Sequence, residues 1–239
     1  MKIDASNIGY SELNKVIRES GESRFEIENV LGQRYIGAGS SDKEILISGT
    51  PGNALGAYLN GSKIIVHGNA QDAIGDTMND GAIIVHGNCG DTTGYAMRSG
   101  EIYVEKNAGY RVGIHMKSYK EQYPIIVIGG KVGDFLGEYQ AGGIIIVLGI
   151  GVEGCPVGSF CGTGMHGGEM FIRSESAPEG LPSQVCCTEA TAEEKEQIRR
   201  YIDRFVKHFG NNTDEFLKSR FYKLIPNSAN PYKQLYVNN

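Results

Sequence analysis

The stretch Asn69–Gly87, NAQDAIGDTMNDGAIIVHG, is followed at once by Asn88–Lys106, NCGDTTGYAMRSGEIYVEK, and the two align over nineteen positions. A third copy begins at Asn107, and a looser one upstream at Thr50 (TPGNALGAYLNGSKIIVHG). Leu31 opens a still earlier copy, and Lys131 opens another after an insertion around Lys117–Pro124. A fixed period of about twenty with one strand-like run per unit is the mark of a solenoid, in which each repeat is one coil.

Aligned on this period, the residues form rows. Gly37, Gly56, Gly75, Gly94, Gly113 and Gly137 hold one position, so each unit needs a backbone shape or a close approach that a Cβ would block. Leu59, Met78, Met97 and Met116 make a second row, and Ile36, Leu55, Ile74, Val112 and Leu136 a third. In the strand, Ile45, Ile64, Ile83, Ile102 and Ile145 stack, as do Ile47, Val66, Val85, Val104 and Val147 two residues on. Period-two alternation points both strand rows inward. Asn69, Asn88 and Asn107 are placed to form an amide ladder at a turn. The units are too short and too glycine-rich for paired helices. The expected fold is therefore all-β: a right-handed, single-stranded parallel β-helix of six to seven coils, a rod of roughly 30 Å, with short terminal α-helices.

One row breaks the alternation. Leu46, Ile65, Ile84, Tyr103 and Ile146 should point outward, yet they are apolar. A strand that is apolar on both faces is normally covered on both. This row is a candidate interface to the chain's own terminal segments, to another copy or to a partner.

The organisation expected is an N-terminal helix and entry strand over 1–30, repeats over 31–174, and a linker with a helical extension over 175–239. Ser11–Ser20 reads as a short helix with Leu13, Val16 and Ile17 on one face, closed by Gly21. Arg24–Val30 reads as a strand. After Ser174 a Pro/Ser/Gly linker follows (SESAPEGLPSQ). Thr191 then starts a helix with Glu194 completing a capping box. Ile198, Tyr201, Ile202, Phe205, Val206 and Phe209 give this helix a broad apolar stripe, and Gly210 ends it. A second helix is predicted over Thr213–Leu224, and the tail from Ile225 should be extended.

The net charge of -5 and the lack of a basic patch with interleaved aromatics argue against nucleic acid. No run of eighteen apolar residues exists, and MKIDASNIGY is not a signal peptide, so a cytoplasmic location away from membranes is expected. Five cysteines do not suggest a secreted disulfide framework.

Chemistry-bearing residues are sparse. His67 and His86 share a row with Glu105 and could hold a metal, but stacking at a strand end explains them equally well. Cys155, Cys161 and His166 fall within twelve residues, in a spacing that matches neither a zinc nor an iron–sulfur pattern. The plainer reading is a tight final coil with small cysteines packed inward. Cys186 and Cys187 match no motif. Asp72, Asp91 and Asp134 share a turn row as an unspecific acidic stripe. The glycines contain no GxxxxGK[ST] loop, and no nucleophile constellation is legible. No catalytic, cofactor-binding or metal residue is therefore assigned.

The repeated units, with Gly at a fixed turn, IIVHGN closing a strand and GTGMHGGEMFIR at the end, resemble the GXGXG domain. That domain is the β-helix at the C-terminus of the glutamate synthase large subunit. The resemblance spans about Phe25–Ser174, and a related β-helix forms one subunit of formylmethanofuran dehydrogenase. The resemblance implies a non-catalytic scaffold subunit of a glutamate synthase-like complex, acting in glutamate biosynthesis and nitrogen metabolism. Catalysis would belong to amidotransferase and synthase partners, the latter carrying FMN and iron–sulfur centres, with no cofactor in this chain. With Met1-Lys2 where the resemblance would put a cysteine nucleophile, amidotransferase chemistry is not expected of this chain. The β-helical subunit of a molybdenum or tungsten formylmethanofuran dehydrogenase is the alternative reading. An independent β-helix hydrolase, supported only by the thin Asp stripe, is another.

Overall fold

The computed structural model describes residues 1–227. Along the chain the elements are β1 (Lys2–Asp4), α1 (Tyr10–Glu19), β2 (Arg24–Leu31), β3 (Glu44–Thr50), β4 (Asn60–His67), β5 (Asp80–Val85), β6 (Glu101–Val104) and β7 (Ile125–Ile128). They continue with β8 (Ala141–Val147), β9 (Gly167–Arg173), β10 (Val185–Glu189), α2 (Ala192–Phe209), α3 (Thr213–Lys218) and β11 (Phe221–Pro226).

The strands form one eleven-stranded sheet in the order β1 to β9, then β11, then β10. Strands β1 to β9 are parallel neighbours in chain order, whereas β11 runs antiparallel to β9 and β10 antiparallel to β11. This corrects the expected fold class. The protein is an open, mixed parallel and antiparallel sheet with helices, and not an all-β, all-parallel single-stranded β-helix. The physical reason lies in what the repeat can specify. It fixes one strand per unit and leaves the remainder of each unit as turn, so the sheet does not close. It also says nothing about the residues after Ser174, and those turn back to pair antiparallel.

Within the repeats the register follows the period. Ile45 pairs with Ile64, Ile64 with Ile83 and Ile83 with Ile102. Ile102 then pairs with Ile126, and Ile126 with Ile145, so the inner row has a member that the 19-residue alignment passes over. The insertion bearing the Tyr119–Gln122 bridge displaces it. These isoleucines are fully buried against Leu55, Leu59, Ile74, Met78, Met97 and Met116 from the turn segments, and together they form the main core. Helix α1 closes this core beside the first strands by inserting Leu13 and Ile17.

The C-terminal segment departs from expectation in its two strands, β10 and β11. The capping box at Thr191 and Glu194 is present, with both reciprocal hydrogen bonds, at 2.9 and 3.2 Å. The following helix, however, ends at Lys218, and Phe221–Pro226 is a strand. Phe221 and Leu224 are buried, Phe221 against the sheet's outer face and Leu224 in the main core, while the backbone pairs with the otherwise open edge of β9. Satisfying that edge outweighs the helical pattern of the sequence. The tail expected to be extended reaches Pro226 in β11, and its remainder from residue 228 lies outside the described residues.

Candidate functional site

Each unit turns at its glycine in the same conformation. Gly37, Gly56, Gly75, Gly94, Gly113 and Gly137 have φ between 63° and 74°. The residues two before and two after are left-handed as well, for example Ala54 (61°) and Tyr58 (57°) around Gly56. This alternation aims successive amides at opposite neighbours. Ala54 N and Tyr58 N donate to Asp72 O and Asp76 O of the next unit, and Gly56 N donates to Ile36 O of the unit before. The turn thus satisfies its backbone between units without being a strand. Only the middle residue faces the core. A Cβ on Gly94 would stand 2.3 Å from Ile126 Cδ1, and one on Gly56 would stand 2.7 Å from Ile83 Cδ1. Gly162 repeats the arrangement, at φ 73° with Val185 Cγ2 2.9 Å from its ideal Cβ position. Sequence reading missed it because the spacing there stretches to 25 residues, as the Asp134–Ser159 contact shows.

Polar ladders tie the units along the turn edges. Asn88 donates to Asn69 Oδ1 through both backbone (2.9 Å) and side-chain nitrogen (3.1 Å), and Asn107 does the same to Asn88. The aspartate stripe has a structural use. Asp72 accepts from Asp91 N, Asp91 from Tyr110 N and Asp134 from Ser159 N, at 2.8–2.9 Å. The glycine preceding each donor leaves room for the carboxylate, since a Cβ on Gly90 would meet Asp72 Oδ1.

The outward apolar row lies under α2. Ile84, Tyr103 and Ile146, joined by Val127 and Phe171, are buried against Ile198, Tyr201, Ile202 and Phe205. Ile65 is partly buried at the margin of this cluster. Leu46, also partly buried, is not among its members, so the part of the row open to a partner is its β3–β4 end. Tyr103 Oη donates to Glu101 Oε2 at 2.8 Å, and Glu101 in turn pairs with Arg204 of α2. Lys223 bridges Glu169 (3.0 Å) and Glu194 (3.2 Å), linking β11, β9 and α2.

His67 and His86 stack at 5.0 Å beneath the end of α2, where Phe209 meets His86 edge-on at 4.9 Å. Glu105 Oε2 lies 3.9 Å from His86 Nδ1. Burial, then the charge of His67, lowers the His86 pKa below its usual 6.5, partly opposed by Glu105. His208, beside Tyr103, is lowered by burial and then by Lys63, His86 and Lys207. Both groups fold more readily as neutral imidazoles. Their contribution is complete above pH 6.5 and is lost as pH falls below it. The thermal midpoint should therefore drop between about pH 7 and 5, and the drop should shrink in the double variant His86→Gln, His208→Gln. An equal drop in that variant would assign the effect to other groups.

Cys161 is buried with its Sγ 4.0 Å from Met170 Sδ. Burial, then nearby Cys155 and Cys187, push its pKa up to about 12, and Cys89 is pushed up by burial as well. Such thiols stay protonated and serve as packing. His166 Nδ1 lies 3.0 Å from Gly164 O, and Cys186 is exposed. Among the described residues no group of three or more His, Cys, Asp or Glu is gathered to hold a metal ion, and no helix is long and apolar enough to cross a membrane.

What the turn edge does present is aromatic. Phe135 and Phe160 stack at 4.9 Å, with the Arg111 guanidinium 4.9 Å over Phe135. His115 and Tyr139 stack at 5.1 Å, and Arg111 pairs with Glu138 at 3.0 Å. Tyr58, Tyr110 and Phe160 are each more than half exposed. Side chains of this kind, with Arg, are those enriched where proteins meet.

The family profile described as GXGXG motif matches residues 15–228, a span that includes every one of these glycine-centred turns. The chain belongs to the GXGXG motif family. Its match extends beyond the repeats into β11. A relative, the uncharacterized protein MJ1350 of Methanocaldococcus jannaschii, is 44% identical over 249 residues, covering 98% of this chain and 95% of its own length. Among solved structures, a chain of the formyltransferase/hydrolase complex (FhcABCD) from Methylorubrum extorquens, in complex with methylofuran, superposes with a TM-score of 0.66. It is 21% identical and covers 93% of this chain and 94% of its own, a likeness of fold.

Proposed function

We propose that this chain is a non-catalytic subunit of a cytoplasmic, multi-subunit, glutamate synthase-like complex. It would hold amidotransferase and synthase subunits in register for glutamate biosynthesis, with FMN and iron–sulfur centres in those partners. Membership of the GXGXG family supports this reading. The observation that carries it is the exposed aromatic edge set on turns whose backbone is fixed between units. A rigid edge of Tyr, Phe and Arg suits a contact surface, since little conformational freedom is lost on docking. The likeness to a chain of the FhcABCD complex favours a second reading, a subunit of a formyltransferase/hydrolase-type assembly.

Reconstitution tests the first reading. The purified chain alone should release no ammonia from glutamine, and adding it to amidotransferase and flavin-containing synthase subunits should raise their coupled glutamine-dependent turnover. Ammonia release proportional to this chain's own concentration would overturn it. Association with formyltransferase/hydrolase polypeptides instead would establish the second.

A further inference from the structure

A cavity of about 320 Å3 opens between the loop 149–154 and the end of β9. Its walls include Gly149, Gly151, Gly154, Arg173 and Phe216. Gly151 (φ 71°) and Gly154 (φ 77°) each have open space where a Cβ would stand. Glycine is needed there for its backbone angle, and no side chain of theirs screens the main chain from the cavity. The amides of Gly151 and Gly154, both lining the cavity, donate to no acceptor among the described residues.

Arg173 is held from two sides. Its Nη1 donates to Leu148 O at 2.7 Å, and its guanidinium carbon lies 5.4 Å from the centre of the Phe216 ring. Its Nε is buried without a partner, and no carboxylate of the described residues stands within ion-pair reach of it. With Nη1 committed, the free edge of the guanidinium is the Nε/Nη2 fork. That edge offers two parallel N–H donors matched to the oxygens of a carboxylate or phosphate. A buried donor left unmade is costly, and a bound oxyanion offsets that cost.

We propose that this cavity binds a small oxyanion, the carboxylate or phosphate group of a low-molecular-weight ligand, on the Nε/Nη2 fork of Arg173 with the amides of Gly151 and Gly154 as further donors. The exposed Glu175, which also lines the cavity, opposes the anion and limits its affinity.

Calorimetric titration of the full chain with inorganic phosphate, and separately with acetate, tests this against sodium chloride of equal ionic strength. Saturable binding of either anion beyond chloride is expected, and the tighter of the two identifies the ligand's acidic group. Arg173→Lys should weaken it at least about ten-fold by removing the bidentate fork. Because Arg173 also holds Leu148 O, a second pair of variants leaves it intact. Gly154→Asp should abolish binding, whereas Gly154→Asn, matched in size and equally tolerant of a positive φ, should retain it. Glu175→Gln should tighten binding. Neither anion binding beyond chloride, equal binding by the Asp and Asn variants, or undiminished binding by Arg173→Lys would each overturn the proposal.

Discussion

Replacing Gly94 by valine is expected to destabilise the fold by about 3 kcal/mol or more, the sum of two separate costs. The first is conformational: a β-branched residue at φ 74° is strained by about 1–3 kcal/mol. The second is steric. The ideal Cβ position lies 2.3 Å from Ile126 Cδ1 in a core without slack, and overpacking of this kind costs about 1–3 kcal/mol more. Ala96→Gly, two residues on at φ 49°, is the control and should be near neutral. There the strain relieved is about offset by the greater freedom of glycine in the unfolded chain. Urea denaturation of both variants decides the matter. A Gly94→Val midpoint equal to that of the parent would mean that the turn can widen without loss.

The second large effect is expected at Phe205, fully buried between α2 and the sheet. Phe205→Ala should cost the docked helix about 3–5 kcal/mol, the usual range for emptying a buried aromatic site. The loss should be local. Strands β3 to β8 are held by the inner core, to which Phe205 does not belong. Hydrogen exchange should therefore accelerate in α2 and hold steady in those strands, and a hydrophobic dye should find the uncovered Ile84, Tyr103 and Ile146. Truncation before Thr191 is a harsher experiment, because it also removes β11 with the buried Phe221 and Leu224. Amides of α2 protected equally in Phe205→Ala and parent would refute the view that this ring holds the helix down.

The repeats were legible because their physics is local and periodic. One glycine per turn, two inward apolar positions per strand and one amide ladder recur every nineteen residues, and each recurs in the hydrogen bonding. The outward row was legible for a related reason, since an apolar residue between two inward ones demands cover, and α2 supplies it over Ile84, Tyr103 and Ile146. Legibility failed where spacing changed or pairing was distant. Ile126, Val127 and Gly162 dropped out of their rows because units of 24 and 25 residues break the alignment. Strands β10 and β11 were missed because nothing near Phe221 announces pairing with β9, and nothing near Val185 announces pairing with β11. That pairing makes the sheet mixed rather than uniformly parallel. The unpaired fork of Arg173 was invisible for the same reason, as only the fold brings it to the glycine loop at 149–154.

The native mass of the tagged chain, purified at its endogenous level and measured by light scattering, tests the subunit reading most directly. The expected result is a particle far heavier than 25.9 kDa, containing other polypeptides in fixed ratio and absorbing as flavin and iron–sulfur protein. A particle of 25.9 kDa, or a simple multiple of it with no other polypeptide, would contradict that reading.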